Sequence, residues 1–258
     1  MSRQIPPVTS EIGEYPAPHL AVDIVLVTIH DGDLAVLMHA RTSEPFAGQL
    51  VLPGGFVHPG ELLDDTAKRV LREKAGLSGI AVEQLYTFSD PQRDPRGWVV
   101  SVAYFALVPY DRLQAAMSRH ANLELVAVAP CSSPPSRKTG KPGASRQRST
   151  AVALLELSAQ GQAIVPGFDH MTIVTTAIER LRGKLDWSMV AFGLLPARFT
   201  LYDLQRVHEC ILGRALNKPH FRKRMLERQF PDGRRLRATG AFFRGGRQRP
   251  AELYELKE

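Results

Sequence analysis

Residues 20–29, Leu-Ala-Val-Asp-Ile-Val-Leu-Val-Thr-Ile, form a run of apolar and β-branched positions, and Asp31-Gly32-Asp33 separates it from Leu34-Ala-Val-Leu-Met-His. Two such runs around a short turn predict a β-hairpin. A loop through Phe46-Ala-Gly-Gln-Leu leads to a short strand at Val51-Leu52, and a glycine-rich stretch opens a helix near Glu61. Beyond it, 80–88 and 98–108 read as strands, and strand character resumes at 151–157. Ile173, Val174, Ala177, Ile178 and Leu181 recur at helical spacing and predict a helix over 170–184. This order of elements predicts a mixed sheet accompanied by helices.

After residue 185 the pattern changes. Thr200-Leu-Tyr-Asp203 has the form of a capping box, with Asp where Glu is usual. It opens a helix carrying Leu201, Leu204, Val207, His208 and Ile211 on one face and stopped by Gly213. Asn217 and Pro219 start a second helix through about Gln229, on which Phe221, Met225 and Leu226 face inward. Two short helices with a brief link, then strands at 236–243 and 251–256, read as a winged helix-turn-helix.

Composition adds limits. In 258 residues, 44% hydrophobic and 23% charged positions describe a globular chain able to bury a core. The two cysteines, Cys131 and Cys210, offer no disulfide framework and fit a reducing compartment. No apolar run reaches the roughly 20 residues of a membrane span, so the expected location is cytoplasmic. The net charge of +7 is all in the tail: residues 186–258 hold 15 Lys and Arg against 8 Asp and Glu. Such asymmetry suggests a polyanionic partner. The segment 130–150, rich in Pro, Ser, Gly and basic residues, reads as a disordered insertion, and 1–19 as a flexible tail.

Residues 54–77 carry the candidate chemistry. Gly55, five residues, Glu61, seven residues, Arg69, then Glu73 and Gly76-Leu77 match the spacing of the Nudix box, which the stretch resembles. In that family the glutamates of the box helix hold a divalent metal against a diphosphate. Two of the acidic positions differ here, being Val70 and Lys74. A cation about 4 Å from a site charge costs about 4 kcal/mol at an effective dielectric of about 20, and about double that against a divalent ion. Magnesium is therefore weakened, and no metal ligand set or catalytic residue is assigned. The Asp90-Pro-Gln-Arg-Asp-Pro-Arg-Gly97 loop adds two forked cations suited to phosphate oxygens, with Asp94 to orient one of them.

The order Nudix-like domain, helix, basic winged helix resembles the Nudix-related transcriptional regulators of NAD metabolism, the NrtR type. Leu-Pro-Gly-Gly-Phe, Arg93-Asp-Pro-Arg-Gly, Phe168-Asp-His, Phe199-Thr-Leu, Ile211-Leu-Gly-Arg and Phe221-Arg-Lys-Arg carry the resemblance. It implies a Nudix α/β/α sandwich over 20–185 that senses ADP-ribose or a related nucleotide without a required cofactor. It also implies a winged helix over 186–258 holding an operator, in a homodimer on an inverted repeat. The ligand set expected from the residues is Arg41, Gly54, Gly55, Glu61, Arg69, Glu73, Arg93, Asp94 and Arg96. The DNA set is Lys218, His220, Arg222, Lys223, Arg224 and Arg228, with Arg244, Arg247 and Arg249 at the wing tip. Two alternatives stay open: an active ADP-ribose pyrophosphatase with a nucleic-acid-binding tail, and an interaction module with neither ligand nor operator.

Overall fold

The computed structural model describes residues 16–130, 155–243 and 250–257. Among these, nine strands join in one sheet in the order β5-β6-β1-β2-β7-β8-β9, with β3 paired to β2 and β4 to β1. The hairpin is β1 (His19–His30) and β2 (Asp33–Ala40), in the register Leu26 opposite Leu37. β3 is Leu50–Val51 and β4 Gly54–Phe56. β6 (Val99–Leu107) lies parallel to β1 and antiparallel to β5 (Glu83–Phe88), while β7 (Leu123–Pro130), β8 (Leu155–Ala159) and β9 (Gln162–Ile164) extend the other edge.

β1 reads as a continuous apolar run because both faces of the sheet are covered. Ile24 and Leu26 pack with Ala67, Val70 and Leu71 of helix α1 (Leu63–Ala75) and Leu113 of α2 (Tyr110–Met117). Val25 and Val27 face the opposite way, toward Ile173, Ala177 and Leu181 of α3 (His170–Lys184). The result is an α/β/α sandwich. α1 stops where Gly76 takes a left-handed φ of 63° and its N–H donates to the Leu71 carbonyl.

Several features differ from the reading of the chain. Gly54 and Gly55, in the glycine-rich stretch before the box helix, lie in a strand, and α1 starts at Leu63 rather than near Glu61. A Cβ at Gly54 would collide with the Asp23 carboxylate, so this glycine is needed for close packing and not for an unusual dihedral. α2, β7 and β9 were not expected, and β5 begins at Glu83 rather than 80. Cys131 and the segment expected to be a disordered insertion lie, apart from Pro130 at its start, outside the described residues, as does residues 1–15 of the expected tail.

The C-terminal part is a three-stranded sheet, β10 (Phe199–Thr200), β12 (Ala251–Lys257) and β11 (Arg235–Phe243), with α4 (Leu201–Leu212) and α5 (Lys218–Glu227). The capping box forms: Thr200 Oγ1 accepts from Asp203 N at 3.1 Å, and Thr200 N donates back to Asp203 Oδ2 at 2.9 Å. Asn217 caps α5 by accepting from His220 N. Phe221 and Met225 are buried as expected, but Leu226 is 38% exposed and faces outward. One apolar cluster runs without a break from Val25 and Val27, through α3, to Leu204, Ile211, Phe221 and Tyr254. Arg182 donates to the Ile211 carbonyl at 2.9 Å and Cys210 Sγ to the Gly32 carbonyl at 2.8 Å, which pins α4 to α3 and to the hairpin turn. Among the described residues no helix is long and apolar enough to cross a membrane.

Candidate ligand pocket and nucleic-acid interface

A cleft of about 270 Å³ opens where β1, β3, β4 and the start of α3 meet, close to the lower end of small-molecule sites. Its floor is a buried polar cluster. The Asp23 carboxylate accepts from Ser101 Oγ at 2.6 Å and from Arg93 Nη2 at 3.1 Å, and His170 Nε2 stands 3.6 Å away. Burial alone would raise the Asp23 pKa, but His170, Ser101 and Arg93 together outweigh it and hold the carboxyl at about 2. Arg93 also grips Asp169, at the start of α3, through Nε at 2.9 Å and Nη2 at 2.8 Å. With its side chain only 4% exposed and divided between two carboxylates, Arg93 lines the cleft but is committed to holding β1 and α3 together. His170 Nδ1 accepts from Leu52 N at 2.9 Å and is a satisfied structural histidine, the role expected of it.

The walls are cationic and aromatic. Asp94 holds the Arg96 guanidinium through two contacts of 2.9 and 2.6 Å, as expected. Arg96 lies against the Phe56 and Phe168 rings at 5.3 and 5.6 Å, and Arg41 lies 5.0 Å from the Phe168 centroid. Burial, reinforced by the charges of Lys74 and Arg41, pushes the His39 imidazole below its ordinary pKa. Gly54 and Gly55 line the cleft, as does Lys74; Glu61, Arg69 and Glu73 do not. Glu61 is bound by Arg69 at 2.8 Å through both carboxylate oxygens, and by Thr66 Oγ1 and His58 N. The Arg69 hydrogen bonds hold its carboxyl well below the usual range. Arg69 reaches Glu73 at 3.5 Å and the Phe56 carbonyl at 2.8 Å, so the box acids and arginine fasten β4 to α1. Val70 is 1% exposed and belongs to the core, so an acid there would lie in apolar packing. Asp23, His39, Phe56 and Phe168 are cleft residues that sequence reasoning missed. Phe168-Asp-His was the available signal, and its left-handed Phe168 (φ 57°) turns that ring into the cleft.

On the winged helix, Lys218, His220, Arg222, Lys223 and Arg224 are all exposed along α5. Arg222 Nη2 reaches Tyr254 Oη at 3.5 Å, Tyr254 in turn donates to Glu252 at 2.7 Å, and Arg224 pairs with Asp186 at 3.3 Å. Arg228 is half-buried: its guanidinium donates to the Leu185 and Ser188 carbonyls at 3.1 and 3.4 Å and lies 4.7 Å from the Phe230 ring. It closes the C-terminal end of α3 instead of facing solvent. Exposed Arg235 and Arg237 flank buried Leu236 on β11, an alternation visible in the sequence but not included in the expected set. Arg244, Arg247 and Arg249 lie outside the described residues.

The NUDIX domain model matches residues 17–140, and the model of the NrtR DNA-binding winged helix domain matches 191–256. The chain is 31% identical over 216 residues to the ADPR-responsive transcriptional repressor of Acinetobacter baylyi, covering 83% of this chain and 74% of that protein. It belongs to the NrtR family. The NrtR of Shewanella oneidensis, in a crystal structure with a 27mer DNA, superposes on this NrtR-family chain with a TM-score of 0.67 at 32% identity, covering 92% of this chain and 93% of that one. An ADP-ribose pyrophosphatase of Methanocaldococcus jannaschii is 36% identical over 101 residues, 39% of this chain and 57% of the archaeal one.

Proposed function

We propose that the chain is a transcriptional repressor of NAD-metabolic genes, with residues 20–185 sensing ADP-ribose or a close relative and residues 186–258 holding the operator. The observation that carries this is the continuity of one apolar core from the cationic cleft, along α3, to the basic helix α5. Arg41 and Arg96 beside the Phe56 and Phe168 rings suit a ligand that joins phosphate to an aromatic base. An exposed row of cations on the second helix of a helix-turn-helix suits duplex phosphates and base edges. The relatives with the same two parts are described as a repressor responsive to ADPR and as a protein complexed with DNA.

The ends of α3 supply the link. At its start Asp169 is gripped by Arg93 under the cleft, and at its end Leu185 is gripped by Arg228 from the end of the recognition helix. A ligand that moves the start of α3 therefore moves α5. In a homodimer on an inverted repeat, with half-sites about one helical turn apart, a small tilt spoils the register of two recognition helices. Coupling is reciprocal and typically about 1–3 kcal/mol. Hydrolysis is not the function of the site: Glu61 is tied to Arg69, Glu73 lies outside the cleft, and Val70 and Lys74 replace acids. The test is titration of DNA from upstream of the chain's own operon, at fixed salt, with and without ADP-ribose. The operator isotherm shifts to weaker binding with ligand; an unmoved isotherm rejects the sensor, and turnover of ADP-ribose with magnesium at about 1 per second or more rejects the non-catalytic reading.

A further inference from the structure

The Nudix fold implies a divalent metal at the box, and the donors here do not fit one. Among the described residues no group of three or more His, Cys, Asp or Glu is placed to hold an ion. Hard cations need several oxygen ligands at once. Of the two box glutamates, Glu61 already accepts from Arg69, Thr66 and His58, and neither it nor Glu73 lines the cleft. The charged box residue that does line the cleft is Lys74. It stands on the last turn of α1, exposed, near half-buried His39, and shares the cleft lining with Arg41 and Arg96.

We propose that the Lys74 ammonium occupies the electrostatic role of the metal, neutralising the ligand's diphosphate, so that effector binding needs no divalent ion and Lys74 selects a diphosphate over a monophosphate. The inference rests on ADP-ribose, or a similar diphosphate, being the effector. Charge supports it. The cleft is lined by four cationic side chains, Arg41, Lys74, Arg93 and Arg96, against two carboxylates, Asp23 and Asp94. Arg93 is held by Asp23 and Asp169 and Arg96 by Asp94, leaving Arg41 and Lys74 as the lining cations with no carboxylate partner among the described residues. A diphosphate linking two sugars has one negative charge on each phosphate, so these two cations can each meet one of its charges without an ion. A lysine is well suited to this, being a compact point charge on a flexible stem, with three donors and the reach to follow phosphate oxygens. It also blocks the alternative, because an ammonium in the cleft repels any divalent ion drawn there by the ligand.

The test is calorimetry of ADP-ribose on the full chain in EDTA and again in millimolar magnesium, for the native protein and for Lys74→Ala, Lys74→Arg and Lys74→Glu, with AMP as the monophosphate comparison. Because Lys74 is exposed, the variants keep the native melting temperature. The native chain binds ADP-ribose within about two-fold in both buffers. Lys74→Ala weakens ADP-ribose about 10-fold or more in both and narrows its preference over AMP, Lys74→Arg retains most of the affinity, and Lys74→Glu binds weakly in EDTA and regains affinity with magnesium. Native binding that is lost in EDTA and restored by magnesium overturns this inference while leaving ADP-ribose as effector. Unchanged affinity in Lys74→Ala also overturns it. No binding by the native chain in either buffer rejects the effector reading, and this inference with it.

Discussion

Replacing Arg93 with alanine tests whether this arginine holds the fold or only the ligand. The side chain is 4% exposed and donates to Asp23 and Asp169, whose side chains are 10% and 19% exposed. Removing the cation leaves a buried carboxylate without its charge partner, a change that costs about 3–5 kcal/mol. pH separates that cost from lost packing. Asp23 titrates at about 2 in the folded chain against 3.8 ordinarily. A depressed carboxylate contributes stability that is fully present above its unfolded pKa and is lost as pH falls through the folded one, here from about 4 to about 2. At about 1.4 kcal/mol per unit, His170, Ser101 and Arg93 together contribute on the order of 2.5 kcal/mol through Asp23, of which Arg93 supplies the smallest share. Arg93→Ala raises the Asp23 pKa, so the deficit against the native chain is large at pH 7 and shrinks toward pH 3. Urea unfolding followed by the fluorescence of Trp98 and Trp187 measures it. Arg41→Ala is the control: among the described residues its guanidinium donates to the Pro45 and Glu44 carbonyls and to no carboxylate, and its loss should leave stability within about 1 kcal/mol while weakening the ligand. An Arg93→Ala deficit below about 1 kcal/mol at pH 7, or one that does not change with pH, would refute the clamp.

Restoring the box acid at Val70 should harm the chain: Val70→Glu puts a carboxylate among Ala67, Leu71 and Ile24, and its melting temperature should fall by many degrees, whereas an unchanged melt would mean the side chain escapes to solvent. Arg228→Ala should leave ADP-ribose affinity nearly unchanged but reduce the factor by which ADP-ribose weakens operator binding, because it frees the end of α3 from α5; an unaltered factor in paired titrations would place the coupling elsewhere. Lys223→Ala removes an exposed cation from α5 and should weaken binding to specific and unrelated duplexes alike, lowering the slope of log affinity against log salt by about one; a selective loss at the operator would make Lys223 a base reader instead.

Much of this was legible along the chain. The capping box at Thr200, the Asn217 cap and the Phe221 and Met225 stripe are local patterns, and local patterns fix the winged helix. Val70 could be read in two ways: as a missing acid when the box is aligned, and as a core position when its spacing to Ala67 and Leu71 is followed. The second reading decides its environment. α2 was hidden because only Leu113 and Ala116 of its eight residues are buried, too few to mark a period. Arg93 and Arg228 look like solvent-facing phosphate cations by residue type. Their partners lie 70 and 76 residues away for Arg93 and 43 and 40 for Arg228, and no spacing rule brings such positions together. Lys74 was visible as a departure from the box, but its place on the cleft wall depends on how β4 and α1 pack.

The unbroken apolar cluster along α3 limits how such a regulator can be re-engineered. A sensor joined to its DNA-binding part by a linker can be exchanged by cutting at the linker. Here a cut after residue 185 would remove Ala191, Phe199, Leu204 and Ile211 from the apolar cluster they share with α3 and leave that cluster open to water. A chimaera responding to a new metabolite must therefore keep α3 together with the facing residues of α4 and the Arg228 contacts, and change only the cleft walls around Arg41, Arg96 and Lys74. The practical unit of transplantation is the inside of the cleft, not the domain.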